Sequence, residues 1–218
     1  MKYILIILAS VFLLPGSMAQ SIPWEKWDPE TIDRANTAAD FEYYTEEEQK
    51  VVFFMNLARI DGSLFAETIL DAYVEVNDVN SNSYLRSLYR DLKKTYGLDP
   101  LIPEEDLTSV AQQHATTSGE SGHVGHKNFK KRFKPFMGKP YTKVGENCSY
   151  GYRNAIDIVI TLLIDDGVKG VGHRENTLSP EFNSVGVAIR EHKGYRFNCV
   201  IDFGKQDRSN LNDLPFSP

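Results

Sequence analysis

The chain has 218 residues, 41% hydrophobic and 11% aromatic. That suits one globular domain with a real core and excludes a disordered or repeat protein. Its 30 Asp and Glu against 24 Lys and Arg, net −6, make it a poor general binder of nucleic acid or anionic membrane.

Residues 1–19 read as a secretory signal peptide. Lys2 precedes an apolar run from Ile4 to Leu14, Pro15-Gly16 breaks it, and Ser17 and Ala19 suit cleavage before Gln20. An uncleaved N-terminal anchor is the alternative. Removal takes Lys2 and no acid, leaving 23 Lys and Arg against 30 Asp and Glu. No later run approaches the ~20 apolar residues that span a bilayer. In an oxidising compartment Cys148 and Cys199 are a disulfide candidate. Their bridge would close a loop of about 50 residues, nominally worth ~4 kcal/mol. Two buried free thiols are the other possibility.

Residues 20–44, with Pro23, Pro29, Trp24 and Trp27, read as a loosely packed N-terminal arm. Thr45 is an N-cap, with Glu46, Glu47 and Glu48 in the first turn of a helix over 46–60. Further helices are expected at about 63–74, 83–95 and 104–118. The last places His114 on its inward stripe with Leu107, Val110, Ala111 and Ala115, where a satisfied core histidine is the plainer reading.

Residues 119–145 are the least regular. His123 and His126 lie beside glycines. Lys127, Lys130, Lys131, Arg132 and Lys134 interleave with Phe129, Phe133 and Phe136. Basic residues among aromatics can bind nucleic acid. The phenylalanine spacing fits better a short amphipathic helix laid on the core.

A helix follows from Asn154, with Asp157 three residues on as a capping-box variant and Gly167 as the C-terminal cap. Asp165 and Asp166 then sit where the helix macrodipole disfavours anions. They invite a compensating partner, for which His173-Arg174 is nearest. Ordinary exposed turn chemistry is the plainer reading. Strands are expected from about Lys143, over 184–190, and over 195–203, the last two forming a hairpin. The tail after Gly204 is polar. Helices preceding and interrupting a small, mainly antiparallel sheet make an α+β domain.

No Gly-x-Ser-x-Gly, His-Glu-x-x-His or phosphate-cradling glycine motif occurs. What remains is a scattered set: His126, Glu146, Asp165 or Asp166, and His173. Imidazole and carboxylate are ligands for zinc and related ions, and the same groups can do acid–base work.

Taken in order, Asn56-Leu57-Ala58-Arg59, AQQHA at 111–115, Gly125-His126, GENCSYG at 145–151, GHRENTLSPEFNSVGVA at 172–188 and VIDFG at 200–204 resemble the CAP superfamily. This is the SCP-like domain of cysteine-rich secretory proteins, antigen 5 and plant pathogenesis-related proteins, and the bacterial branch is the nearest in look. The resemblance covers residues 45–205, with 206–218 as a tail. It implies a three-layer α-β-α sandwich with a groove lined by two histidines and two acids. Carried onto this chain, the metal set is His126, Glu146, Asp166 and His173. Asp165 is the alternative acid, and His123 competes with His126. Asp is one methylene shorter than the Glu of animal and plant members. His114 and Arg174 are further groove candidates, and Arg174 with Asn176 can instead hold the corner to the sheet.

Three functions are consistent with this. The first is a secreted, monomeric binding module with a divalent cation, Zn²⁺ foremost, and a protein, peptide or lipid ligand, without nucleic acid. The second is a metal-assisted, peptidase-like hydrolase with Glu146 as general base. The third is a purely structural polar cluster.

Overall fold

The computed structural model describes residues 21–207. The expected signal peptide and most of the tail lie outside them.

The arm is more ordered than its composition suggests. A 3₁₀ turn, Trp24–Lys26, leads to α1, Pro29–Ala35, with Asp28 as N-cap and Pro29 in the first turn. Trp27 is buried and donates to the Thr68 hydroxyl at 3.1 Å. It is therefore part of the core, not a loose lid.

α2, Glu46–Ile60, starts with a full capping box between Thr45 and Glu48. Asp61 then caps α3, Gly62–Phe65. A π turn, Ala66–Leu70, carries the chain into α4, Asp71–Val76. α5 is Ser83–Leu92. Strand β1 is only Ile102–Pro103. α6, Glu105–Ser121, ends on left-handed Gly122. α7, Phe129–Phe133, is the short amphipathic helix expected there. Then come β2, Tyr141–Tyr150; α8, Ala155–Ile164; α9, Gly172–Thr177; β3, Ser184–His192; and β4, Arg196–Gln206.

The sheet order is β1-β3-β4-β2. β1 runs parallel to β3, and the other pairs are antiparallel. One face carries Val185, Val187, Cys199, Ile201 and Phe203 into the large core shared with α2 and α8. The opposite face carries Cys148, Ala188 and Val200 against Ala111 and Ala115 of α6. The fold is an α+β sandwich. Gly186 allows α6 to sit close: a Cβ there would lie 2.2 Å from the Leu107 carbonyl carbon.

Two cap assignments need correction. α8 ends at Ile164 and its left-handed cap is Asp165, at φ 58°, not Gly167. Aspartate tolerates that conformation better than most side chains. At the other end Asn154 makes no side-chain cap. Its amide donates to Asp157, and the Glu47 carboxylate of α2 accepts the Ala155 N–H at 2.8 Å.

The disulfide expectation also fails. Cys148 pairs in register with Val200, whereas Cys199 pairs with Ser149. Neighbouring residues of a strand point to opposite faces. The two cysteines therefore lie on opposite sides of the sheet, both free and both buried.

Candidate functional site

Strand β2 lies at an edge of the sheet, and two loop corners are fastened to consecutive residues of it. Glu146 holds the first corner through its side chain. Asn147 holds the second, donating to the His173 carbonyl at 2.9 Å, while Asn176 donates to the Asn147 side-chain oxygen at 2.9 Å.

The first corner is the loop after α6. Its backbone is clamped at Gly125, whose φ is +95°, a conformation that favours glycine. The Gly125 N–H donates to the Tyr150 hydroxyl at 2.7 Å, and its carbonyl accepts from His114 Nε2 at 2.9 Å. Ser118 serves the other ring nitrogen of His114. His114 is thus a satisfied core histidine that aims the next residue. Its burial pulls its basicity down against the raising effect of Glu146.

His126 Nδ1 then meets Glu146 Oε1 at 2.7 Å. Its side chain is 48% exposed, whereas that of Glu146 is 1% exposed. Glu146 is also gripped by Arg132, whose Nη2 lies 3.0 Å from Oε1 and 2.7 Å from Oε2. Burial alone would raise the Glu146 carboxyl. The His126 hydrogen bond and the Arg132 guanidinium outweigh it and hold the group below its ordinary value. The carboxylate can only accept, so His126 carries its proton on Nδ1 and leaves Nε2 to solvent.

Asp202 completes this corner from below. It pairs with Glu146 across β2 and β4 and is fully buried. Burial, then the Glu146 charge, drives its carboxyl far above the ordinary value. Neither Asp202 oxygen finds a donor among the described residues. A neutral Asp202 resolves this by donating its own proton to Glu146.

The second corner is built on the end of α8. Asp165, buried, accepts from the His173 N–H at 2.9 Å and the His173 ring Nδ1 at 2.7 Å. The left-handed turn at Asp165 is what directs the carboxylate back onto α9. Asp166 is exposed and accepts from Asn82 at 2.9 Å, so it is not the acid that meets His173. His123 likewise stays off Glu146; it contributes its carbonyl, which accepts from His192 Nε2 at 3.0 Å.

The model of the cysteine-rich secretory protein family, CAP, matches residues 55–203. The chain belongs to the CAP family. No curated protein matches it. Among solved structures it is similar to an outer surface protein from Borrelia burgdorferi, at 18% identity and TM-score 0.43, covering 59% of this chain and 97% of that one. It is also similar to a cysteine-rich secretory protein from Staphylococcus aureus, at 18% identity and TM-score 0.41, covering 56% of this chain and 38% of that one.

Within this CAP domain the Arg174 side chain is taken up by the helices behind the second corner. It is buried and donates to the Leu163 carbonyl at 2.6 Å, the Ile164 carbonyl at 2.8 Å and Asp91 at 2.8 Å. It caps the C-terminus of α8 and ties the corner to α5, rather than to the sheet. Cys148 approaches the first corner from the sheet, its Sγ 3.7 Å from His126 Nδ1. Burial raises that thiol well above its ordinary value.

His114, Glu146 and Cys148 can bring one ligand atom each within 4.8 Å of one another. No such set among the described residues joins Glu146, Asp165, His126 and His173. Each acid is spent on its own histidine.

Arg132 and Asp202 are the site residues that sequence reasoning misses. Arg132 is hidden in a run of surface lysines. Asp202 alternates with Asn198 on a strand face that reads as solvent-facing. α6 covers that face.

Proposed function

We propose that this protein is a secreted binding module whose groove holds a divalent cation between two carboxylate-oriented histidines. The observation that carries this is the pair of 2.7 Å contacts, His126 to Glu146 and His173 to Asp165. A buried carboxylate on one ring nitrogen is the usual outer support of a metal-binding imidazole. His126 and His173 are the ligands through Nε2, with Glu146 and Asp165 behind them. This replaces a four-ligand set containing Asp166. Two imidazoles favour Zn²⁺ over Mg²⁺ or Ca²⁺. The ion would supply positive charge and open coordination positions for an oxygen of a protein, peptide or lipid ligand.

The hydrolase reading is not favoured. Glu146 is 1% exposed at its side chain and already bound by Arg132 and His126, which leaves no face for an attacking water.

The test uses the chain from Gln20, since residues 1–19 lie outside the described fold. Metal is stripped and Zn²⁺, Mg²⁺ and Ca²⁺ are titrated against melting temperature. Saturation at ~100 times Kd adds about 2.7 kcal/mol, a shift of a few degrees. Zn²⁺ should give that shift, and His126→Ala/His173→Ala should lose it. No shift with any ion would overturn the cation reading.

A further inference from the structure

The net charge conceals a strong segregation. From Ser121 to Gly145 the chain carries Lys127, Lys130, Lys131, Arg132, Lys134, Lys139 and Lys143 and no acid at all. This stretch is anchored on the core. Phe129 and Phe136 pack with buried Phe133, Tyr141, Leu107 and Val110. Arg132 lies against the Phe129 and Phe133 rings, at 5.9 and 5.8 Å, and reaches inward to Glu146.

Anchoring those three side chains inward decides where the lysines go. At about 100° per residue, Lys130, Lys134 and Lys131 fall within one arc of roughly 100° opposite Phe129, Arg132 and Phe133. All three are exposed, as are Lys127 and Lys139. None of these five has an ion-pair partner among the described residues, whereas Lys143 is matched by Glu181. Beyond the helix the chain makes a closed turn: the Tyr141 N–H donates to the Phe136 carbonyl at 3.2 Å and the Gly138 N–H to the Tyr141 carbonyl at 2.8 Å. At that turn Met137 is 47% exposed, a large apolar side chain flanked by lysines.

We propose that this face docks on an anionic lipid surface, with the lysines against headgroups and Met137 reaching toward the acyl boundary. Clustered lysines gain from the negative potential of such a surface and lose it within a Debye length. A bare apolar tip amid them suits an interface that is charged outside and apolar beneath. Single-stranded nucleic acid is the poorer match, because stacking needs exposed aromatic faces and the three phenylalanines are turned into the core. The acidic remainder of the chain orients the protein, presenting this face and repelling the others.

The test is vesicle cosedimentation of the chain from Gln20, with chelator present so that the outcome is independent of any bound cation. Vesicles of phosphatidylcholine alone are compared with vesicles of phosphatidylcholine and phosphatidylglycerol. Binding is expected only to the anionic vesicles, and should fall steeply between ~0.05 and ~0.5 M salt. Lys130→Glu/Lys131→Glu/Lys134→Glu should weaken it at least about tenfold at unchanged melting temperature. Met137→Ser should weaken it less. Equal binding to neutral vesicles, no binding to anionic ones, or an unaffected triple variant would overturn the proposal. So would retention of an oligonucleotide or heparin without vesicle binding.

Discussion

Asp202 on β4 stands directly opposite Glu146 on β2, and burial beside the Glu146 charge pushes its carboxyl up, which favours one shared proton between the two. Their shifts have opposite signs. Glu146 is held below its ordinary value, so its contribution is present above the unfolded value, ~4.5, and is lost as pH falls. Asp202 is held above its ordinary value, so its contribution is complete below ~3.8 and drains away as pH rises toward its folded value. Asp202→Asn keeps a donor for Glu146 without that loss. It should raise the unfolding free energy at neutral pH by about 1–3 kcal/mol, and by nothing near pH ~3.5. Denaturant unfolding at the two pH values measures this, and a destabilised Asn variant at neutral pH would contradict the shared proton.

Glu146→Gln removes the charge that Arg132 faces in the interior. Leaving a buried guanidinium without its carboxylate should cost about 3–5 kcal/mol at neutral pH. The loss should shrink under acid, where the wild type forfeits the same charge. Parallel chemical denaturation of the two proteins reads both numbers.

The Gly125 clamp is testable apart from any ligand. Its added Cβ would meet nothing within 4 Å, so Gly125→Ala reports backbone strain alone, about 1 kcal/mol or more at this φ. Tyr150→Phe deletes the acceptor of the Gly125 N–H and should cost about 1–2 kcal/mol. Because both act on one peptide, their effects should not add, and a double-mutant cycle checks that.

Both cysteines should be thiols in protein purified without reductant. Two thiols per chain should titrate in denaturant and almost none in the native state, given their burial. Reductant should leave the melting temperature where it was. A single mixed or missing thiol would contradict the opposite-face placement.

Much of this is legible in the sequence because local patterns and tertiary packing agree. Thr45 and its three glutamates announce α2, and the alternation from Val185 to Ile189 announces β3. The motif order from Asn56 to Gly204 announces the family. The disulfide expectation fails because residue type and compartment say nothing of sheet register, and a one-residue offset reverses the face. Asp165 and Asp166 cannot be separated by sequence for a related reason: only the left-handed cap at Asp165 decides which carboxylate swings toward His173. The arm reads as loose because Trp27 is held by a residue 41 positions away. Local composition carries no trace of that.

Arg59 shows how late the molecule commits itself. From the last turn of α2 this fully buried side chain donates to the carbonyls of Asp99, Thr177, Ser179 and Phe182, at 2.8–3.0 Å. Burial, eased in part by the charge of Asp99, lowers it to about 10, still protonated at neutral pH. Three of its four acceptors lie more than a hundred residues further along the chain. Until residues 177–182 emerge during synthesis, the guanidinium has too few oxygens to leave water for. The packing around Arg59 at the end of α2 is therefore complete only once residues 177–182 have been made.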